Sequence, residues 1–401
     1  MNRPLLAPLL PLLLTLLAAA SASVAVDAPA PNSHLLAKLP GPCDVDVQFS
    51  RGGRFIVTAG GNEARVWDAQ TLRPIAHPLK HDDLVAIRVS DRGNVLLTVG
   101  AGARLWDPRT GKPLGEPLAV PRHRDDSAWP ADVSSDGSMV AATVAVRGGA
   151  ARPGWEVEVW SVSPRKRLLA LRHQAEPGFV AFSPGAKRLV TAEPFDHRPH
   201  GGGETFHLWD VATGKEVCPP IVTKYNYGGA ENAPAAFSPD GTRLAIASKT
   251  TFRIHDGRTG LLLPDSGPVE SEDEPARWGA DLASLHFSAD GRRILAQNGG
   301  WFGVWDAATR TLLTRSHDGS IAAMSAERKR VVSRHYVSEE RDKDAVEVWD
   351  VTSDRLLTRL GAREIGALAF SPDGRRMAAG SASNAFTSVW AIDEPQKTHA
   401  D

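Results

Sequence analysis

Short apolar runs recur along the chain and are separated by small polar turns. In each unit one run leads into a turn that begins with Ser, a second apolar run follows, and a third closes on Trp-Asp or a variant of it. The turns read Phe49-Ser-Arg-Gly-Gly, Val89-Ser-Asp-Arg-Gly, Val133-Ser-Ser-Asp-Gly, Phe182-Ser-Pro-Gly-Ala, Phe237-Ser-Pro-Asp-Gly, Phe287-Ser-Ala-Asp-Gly, Met324-Ser-Ala-Glu-Arg and Phe370-Ser-Pro-Asp-Gly. Apolar runs bounded by Gly, Pro, Asp and Ser predict β-strands joined by tight turns. We therefore expect an all-β protein.

The ends of the third strands are spaced almost evenly along the chain. They lie at Trp67-Asp, Trp106-Asp, Trp160-Ser, Trp209-Asp, His255-Asp, Trp305-Asp, Trp349-Asp and Trp390-Ala. Successive ends are 39, 54, 49, 46, 50, 44 and 41 residues apart. A period of about 40–45 residues with a Trp-Asp ending is typical of the four-stranded blades of a β-propeller. The spacing thus predicts eight antiparallel blades, each with strands a to d in chain order.

The two ends of the chain are expected to complete one blade together. A fourth apolar run follows most Trp-Asp endings, such as Leu356-Leu-Thr-Arg-Leu in the seventh unit. No such run follows Trp390, whereas His34-Leu-Leu-Ala-Lys-Leu, ahead of the first unit, reads like a fourth strand. Closing the ring removes an open sheet edge, which would invite aggregation. We predict that residues near Leu35–Leu39 pair with the strand ending at Trp390; a seven-bladed ring with one unit outside is the alternative.

These units resemble the repeats of the WD40 family over roughly Ser33 to Asp393, although they are degenerate and lack the family's full Gly-His dipeptide. The resemblance implies a hydrogen-bonded group in which a His before strand a contacts a strand-b Ser or Thr, a turn Asp and the strand-c Trp. Only the seventh unit offers all four residue types near these places: His317, Ser333, Asp344 and Trp349.

Composition argues for one large domain without nucleic-acid binding. The chain has 401 residues, 42% of them hydrophobic, and a net charge of −1. That charge offers no clustered basic surface of the kind that nucleic-acid binding needs. The repeats use nearly all of the chain, so a single domain is the simplest interpretation.

The N-terminus is predicted to be an export signal. Met-Asn-Arg precedes an apolar run that starts at Pro4, and small residues follow at Ala20-Ser-Ala22 and Ser23-Val-Ala25. This order is typical of a cleaved signal peptide. A retained membrane anchor is the alternative, but the run is short and interrupted by Pro8 and Pro11. We assign residues 1–25 to the signal, 26–33 to a linker, 34–393 to the propeller and 394–401 to a polar tail.

Two cysteines remain in a chain that we expect to be periplasmic or extracellular. Cys43 enters the first blade, and Cys218 belongs to the fourth strand of the fourth, almost half a turn of the ring away. A disulfide needs Cα atoms within about 7 Å of each other. We therefore predict two free thiols.

The long connections are predicted to fall on one face of the ring. The a–b and c–d turns, which open on one face, are short. The expansions lie in b–c connections and d–a links, which open on the other, at residues 121–130, 147–155, 193–206, 223–234, 264–282 and 334–345. Loops on a rigid scaffold are where binding residues concentrate.

Aromatic residues strengthen the prediction of a binding face. Of the eleven tryptophans, seven end a third strand and are expected to be structural: Trp67, Trp106, Trp160, Trp209, Trp305, Trp349 and Trp390. The other four and all three tyrosines fall in segments of the expanded face: Trp129, Trp155, Trp278, Trp301, Tyr225, Tyr227 and Tyr336. Trp and Tyr are frequent interface anchors, so we expect these seven to bind a partner. The alternative is that each ring packs into its own loop.

Sequence signatures of catalysis are absent. The chain has no Gly-x-Ser-x-Gly, no His-Glu-x-x-His and no phosphate-binding Gly loop. The nearest approach to a metal site is Glu193–His207, which holds Glu193, Asp196, His197, His200, Glu204 and His207. It lacks cysteine and the tight spacing of structural zinc sites, so we expect no metal and no cofactor.

The sequence therefore favours an exported, monomeric, non-enzymatic propeller that binds a protein or peptide and has no stable membrane span once the signal is removed. The alternative is a propeller that binds or processes carbohydrate. A cluster of three or more charged residues lining the central funnel, with raised carboxylate pKa values, would favour the alternative.

Overall fold

The computed structural model describes residues 33–120, 131–146, 154–196, 202–223, 234–248, 251–264, 282, 284–288, 290–297, 302–316, 319–325, 330–336, 344–351, 355–362, 365–381 and 386–393. All regular elements in these ranges are β-strands, and they form eight antiparallel sheets. The prediction of an all-β, eight-bladed propeller is confirmed.

Blades one to four follow one another along the chain, and their strands pair in chain order. Blade one contains β2 (Asp46–Phe49), β3 (Phe55–Gly60), β4 (Glu63–Asp68) and β5 (Leu79–Lys80), after the N-terminal strand β1 (Ser33–Pro40). Blade two contains β6 (Ala86–Val89), β7 (Leu96–Gly100), β8 (Gly102–Asp107) and β9 (Lys112–Pro113). Blade three contains β10 (Ala131–Val133), β11 (Met139–Val146), β12 (Gly154–Ser161) and β13 (Lys166–His173). Blade four contains β14 (Phe179–Phe182), β15 (Arg188–Asp196), β16 (Gly202–Asp210), β17 (Lys215–Glu216) and β18 (Ile221–Val222), the last two both paired with β16.

Blades five to eight repeat the pattern with one reduced sheet. Blade five contains β19 (Ala235–Phe237), β20 (Arg243–Ser248) and β21 (Thr251–Asp256), with a single bridge from His255 to Leu262 where a fourth strand was expected. Blade six contains β22 (Ser284–Phe287), β23 (Arg293–Gln297), β24 (Phe302–Asp306) and β25 (Leu312–Ser316). Blade seven contains β26 (Gly319–Met324), β27 (Arg330–Tyr336), β28 (Asp344–Asp350) and β29 (Arg355–Ala362). Blade eight contains β30 (Ile365–Phe370), β31 (Arg376–Ser381) and β32 (Phe386–Ile392), and β1 is its fourth strand.

The Ser that opens each a–b turn explains why these turns repeat. In all eight blades the hydroxyl oxygen of this Ser accepts the backbone N–H five residues later, at 2.9–3.0 Å. The bond satisfies a backbone donor where the ladder begins, so strand b starts at a defined residue. Gly53, Gly93 and Gly137 follow the Ser by three residues at φ of 67°, 63° and 72°, a region that favours glycine.

The hydrophobic core lies between neighbouring blades rather than in one central mass. Each strand-c Trp packs against the blade before it. Trp106 of blade two, for example, belongs to a buried cluster with Val57 and Val66 of blade one. Trp305 of blade six meets Phe252 of blade five edge to face, with ring centroids 5.4 Å apart. Stacked sheets thus bury both faces of each blade.

The first strand closes the ring. Strand β1 pairs antiparallel with β32 from Ser33↔Ile392 to Pro40↔Phe386. Leu39, which is 2% exposed, joins a buried cluster with Val389 and with Trp67 of blade one. The predicted N-terminal closing strand and the predicted eight-bladed ring are therefore both confirmed.

Both cysteines are free, as predicted. Cys43 is fully buried against the last blade, where its sulfur fills the space beside Gly380. Burial raises the pKa of the Cys43 thiol to about 11, so it remains a neutral thiol at neutral pH.

Removing β1 should open the ring. A chain lacking residues 1–40 leaves the outer edge of β32 unpaired, so we expect aggregation and a large loss of melting temperature. A chain lacking residues 1–32 keeps β1 and is the matched control. Size-exclusion chromatography and thermal melts compare the two; equal melting temperatures and equal monodispersity would contradict the closure.

Candidate functional site

The tight-turn face, which carries the a–b and c–d turns, is made of turns that satisfy their own polar groups. In five blades a c–d turn N–H donates to an a–b turn carbonyl, as from Ala69 to Arg54 at 2.8 Å, and in blade eight the N–H of Ile392 at the end of β32 does the same. Ser238 donates its hydroxyl to Asp240 at 2.5 Å, and the Thr242 N–H donates to the same carboxylate at 3.0 Å. These bonds lower the pKa of Asp240. The equivalent bonds also lower the pKa of Asp373, where burial alone would raise it. The polar groups that a partner would need here are already engaged within the turn.

Two grooves between blades on this face are lined by residues of the same turns. One of about 840 Å³ lies at the seam between blades eight and one and is lined by Arg51, Ala69, Pro372 and Asp373 among others. Another of about 420 Å³ lies between blades five and six and includes Asp240. Their walls are built largely from the turn residues just described.

The loop-bearing face, which carries the b–c connections and the d–a links, begins beyond longer strands than the sequence indicated. Strand β12 starts at Gly154, so Trp155 is a strand residue rather than a loop residue. Strand β27 extends to Tyr336 and pairs it with Asp344. These two assignments to loops were wrong, as was most of the predicted loop Glu193–Phe206, because backbone pairing continues past the point where the apolar pattern stops.

Most of the predicted partner-binding aromatics fall outside the described residues. Trp155 is half-buried and lies opposite His173 in the register of β12 and β13. Tyr336 is the last residue of β27. The remaining predicted binding residues lie outside the described ranges: Trp129, Tyr225, Tyr227, Trp278 and Trp301.

The predicted hydrogen-bonded group of the seventh unit is wrong. The Trp349 indole N–H donates to Glu347 at 3.1 Å, and the Ser333 hydroxyl makes no hydrogen bond within the described residues. Glu347 lies two residues before Trp349 on the same face of β28, so its carboxylate is the nearer and stronger acceptor. His317 lies outside the described residues. Blade three repeats this arrangement, because Trp160 donates to Glu158, also at 3.1 Å.

Blades two and four carry the His–Thr–Trp relay instead. In blade two the Trp106 indole donates to Thr98 at 2.9 Å, and His81 lies 2.7 Å from the same hydroxyl. In blade four Trp209 donates to Thr191 at 2.9 Å, and His173 lies 3.3 Å from that hydroxyl. Sequence reasoning missed blade four because it required an Asp, whereas Glu193 occupies that place 3.4 Å from His173.

A charged cluster surrounds the central axis. Asp46, Arg88 and Asp132 lie on the innermost strands of blades one, two and three, and all are half-buried. His286 lies on the innermost strand of blade six, opposite blade two in an eight-bladed ring. The innermost strands of a propeller surround its central channel, so Arg88 and the exposed His286 both lie on strands that line it. The cluster is therefore a feature of the central funnel.

Burial inside the ring shifts the pKa values of this cluster. It raises the pKa of Asp46 to about 6 and also raises that of Asp132, although Arg88 opposes both shifts. Desolvation by the surrounding blades, together with the charge of Arg88, lowers the pKa of His286 to about 4, although the side chain is partly exposed to solvent. His286 is therefore neutral at pH 7. This is the arrangement that would favour a carbohydrate-processing propeller.

A structural role accounts for part of the same cluster. Asp132 accepts the Phe182 N–H of the next blade at 2.8 Å, and Gln48 donates to the Ile87 carbonyl of its next blade at 2.9 Å. Both residues stand two positions before the turn Ser, as do Arg88 and His286, whereas blades four, five, seven and eight have Ala there. That position was the sequence signal that could have revealed Arg88, Asp132 and His286, whereas Asp46 stands four residues before its turn Ser.

Comparison with known proteins identifies the class of fold. The family model described as "WD domain, G-beta repeat" matches residues 33–68, which span β1 and the first three strands of blade one. Among solved structures, the C-terminal WD40 domain of Sif2 is similar, with a TM-score of 0.62, 15% identity and coverage of 90% of this chain and 99% of that one. No curated protein matches the sequence.

Two further solved structures support the same fold. The crystal structure of a eukaryotic initiation factor has a TM-score of 0.56 at 13% identity, covering 88% of this chain and 86% of that one. The Cps50 (Swd1) β-propeller domain of Myceliophteria thermophila has a TM-score of 0.53 at 15% identity, covering 90% and 99%. The chain has the β-propeller fold of these WD40 domains, and its first repeat matches the WD repeat model. Among the described residues no helix is long and apolar enough to cross a membrane.

Asp46 should make the stability of the ring depend on pH. Its pKa is about 6 in the folded protein, against about 3.9 in an unfolded chain. The folded state thus binds the Asp46 proton more tightly than the unfolded chain does. The stabilisation that results from this difference is complete below about pH 4 and is lost as the pH rises through 6. Asp46→Asn avoids the loss. Its melting temperature relative to the natural chain should be higher at pH 7.5 than at pH 4.

Scanning fluorimetry at both pH values measures the difference. Glu116→Gln, which removes one carboxylate from the exposed surface, controls for net charge. An Asp46→Asn effect that is the same at both pH values would show that this carboxyl does not titrate inside the ring as described.

Proposed function

We propose that this protein is an exported, non-enzymatic propeller that binds a protein or peptide through its loop-bearing face. The observation that carries the proposal is the contrast between the two faces. Turn polar groups on the tight-turn face bond to one another, as at Asp240. The long b–c connections and d–a links all attach to the opposite face, for instance between Val146 and Gly154.

Resemblance in fold supports a role in binding. WD40 propellers commonly serve as rigid platforms for protein interaction, although one propeller can host unrelated functions. Export is supported by the apolar N-terminal run and the small residues after it, which precede the closing strand β1. We propose that the mature protein is a monomer in the periplasm or outside the cell and has no stable membrane span.

The binding residues in this proposal are the aromatics assigned from the sequence: Trp129, Trp155, Tyr225, Tyr227, Trp278, Trp301 and Tyr336. Aromatic anchors concentrate binding energy because they bury a large rigid surface with little loss of side-chain entropy.

Replacing a subset of these aromatics should abolish binding with little effect on the fold. The variant changes Trp129, Tyr225, Trp278 and Tyr336 to Ala. Each anchor is worth about 2 kcal/mol or more, roughly a thirtyfold loss of affinity. Affinity capture from the native envelope or secretome, followed by mass spectrometry, identifies the partner with the natural chain, and the variant is then tested for retention of that partner.

Variants of the tight-turn face form the matched control. Asp240→Ala and Asp373→Ala each remove turn hydrogen bonds, so they should lower stability by about 1–3 kcal/mol and leave capture intact at low temperature. Capture that is lost through these turns and kept without the aromatics would place the binding site on the tight-turn face.

A carbohydrate-processing function is the second candidate, favoured by the raised carboxyl pKa values of Asp46 and Asp132 in the central funnel. Two carboxyl groups with raised pKa values beside an Arg can act as general acid and base toward a glycosidic bond. Hydrolysis of envelope polysaccharide by the natural chain, lost in Asp46→Asn and in Asp132→Asn but kept in Glu116→Gln, would establish this function. No hydrolysis by the natural chain would exclude it for the polymers tested.

A further inference from the structure

Three side chains of types that can bind a metal ion lie together at the boundary between blades three and four. His173 ends the outermost strand of blade three, Glu193 lies on β15, and His207 lies on β16. One ligand atom from each residue lies within 4.8 Å of the other two. The side chain of His173 is 0% exposed, and those of Glu193 and His207 are 9% and 12% exposed.

Each ring nitrogen lies farther from its nearer Glu193 oxygen than a close hydrogen bond, at a separation that two neighbouring metal ligands can have. His173 Nδ1 lies 3.4 Å from Glu193 Oε2, and His207 Nε2 lies 3.4 Å from Glu193 Oε1. Charge-assisted hydrogen bonds are about 2.7–2.9 Å long. Tetrahedral zinc with bonds of about 2.0–2.2 Å holds neighbouring ligand atoms about 3.3–3.6 Å apart. Both ring nitrogens are buried and make no hydrogen bond of normal geometry.

Hydrogen bonds behind the rings leave these nitrogens free to act as ligands. His207 Nδ1 lies 2.7 Å from Glu216 Oε1; in the neutral ring whose Nδ1–H donates to that carboxylate, the Nε2 lone pair is directed toward Glu193. Carboxylates commonly orient zinc-bound histidines in this way. His173 Nε2 lies 3.3 Å from Thr191 Oγ1, whose oxygen can accept from both His173 and the Trp209 indole.

The carboxylate of Glu193 is held in place by the backbone. The N–H groups of Gln174 and Ala175 donate to Oε2 at 2.8 and 3.0 Å. These two bonds occupy Oε2 and leave Oε1 facing His207. The link that follows His173 thereby fixes the carboxylate between the two rings.

We propose that His173 Nδ1, Glu193 and His207 Nε2 bind one zinc ion, with Glu216 orienting His207. The site joins the outermost strand of blade three to the second and third strands of blade four, so the ion strengthens one blade boundary. Two imidazoles and a carboxylate suit zinc among the divalent metals. The proposal departs from the sequence expectation of no metal and is independent of the proposed binding role.

The competing explanation is a metal-free hydrogen-bonded relay through Trp209, Thr191, His173 and Glu193. In that case His207 contributes nothing to cation binding. Blade two separates the two explanations, because it has the relay of Trp106, Thr98 and His81. Gly100 and Arg104 stand there at the places that correspond to Glu193 and His207.

Zinc titration of the metal-stripped full chain tests the site. We expect one Zn²⁺ per chain by isothermal titration calorimetry. At a free zinc concentration near one hundred times Kd, the melting temperature should rise by about 3–4 °C relative to protein in EDTA. His207→Gln keeps an amide to face Glu216 and should lower zinc affinity at least about tenfold. His81→Gln, which alters the relay of blade two, should leave zinc affinity unchanged.

Glu216→Gln is the second variant and leaves all three ligands in place. Loss of the orienting carboxylate should weaken zinc binding by about 10–100-fold. Circular dichroism confirms that each variant is folded. No zinc binding by the natural chain, full affinity in both His207→Gln and Glu216→Gln, or an equal loss in His81→Gln would each overturn the site.

Discussion

The pairing of β1 with β32 is the interaction on which the rest of the ring depends. Blades of a propeller bury their faces only against neighbours, so a ring that fails to close exposes the apolar faces at its two ends. Closure here joins Ser33–Pro40 to Phe386–Ile392, residues from opposite ends of the described chain. The residues that match the family repeat, 33–68, likewise span two blades: they contain the last strand of blade eight and three strands of blade one. The sequence repeat and the blade are offset by one strand, and that offset makes the closing strand necessary.

Residues that recur in every blade and residues that differ between blades have different physical roles. The turn Ser bonds to the backbone in all eight blades because every strand b needs a defined start. The partner of the strand-c indole varies: Thr98 in blade two, Glu347 in blade seven. The fold of the blade does not fix which side chain accepts the indole N–H, so this hydrogen bond differs between blades of the same architecture. The funnel charges and the His173 cluster both arise at such variable positions.

Most of the architecture could be predicted from the sequence, because blade number, closure and the free cysteines follow from spacing along the chain. The two clusters were not predicted. Arg88 and His286 lie on the innermost strands of opposite blades, and His173 lies close to Glu193 across a blade boundary. Their proximity depends on how the blades are arranged around the axis, and the only local signal was the position two residues before the turn Ser, which Arg88, Asp132 and His286 share. The group expected around Trp349 failed for a simpler reason, since a nearer carboxylate at Glu347 takes the indole N–H.

Strand lengths show the same limit on the loop-bearing face. Trp155 and Tyr336 were assigned to loops because the apolar alternation stops before them, yet backbone pairing includes both. Strand pairing is sustained by N–H and C=O groups that every residue except proline carries in full. Strand ends with polar or aromatic residues are therefore predicted as loops from the sequence, although their backbones still pair with the neighbouring strand.

Hydrogen exchange of the full chain tests the closed ring most directly. Strand β1 is an outermost strand, so only its amides directed at β32 are bonded, as in the outermost strand β29 of blade seven. A closed ring predicts that peptides covering Ser33–Pro40 and Arg355–Ala362 retain similar fractions of slowly exchanging amides. Complete exchange of Ser33–Pro40 at the shortest labelling time, with Arg355–Ala362 still protected, would contradict closure by the N-terminal strand.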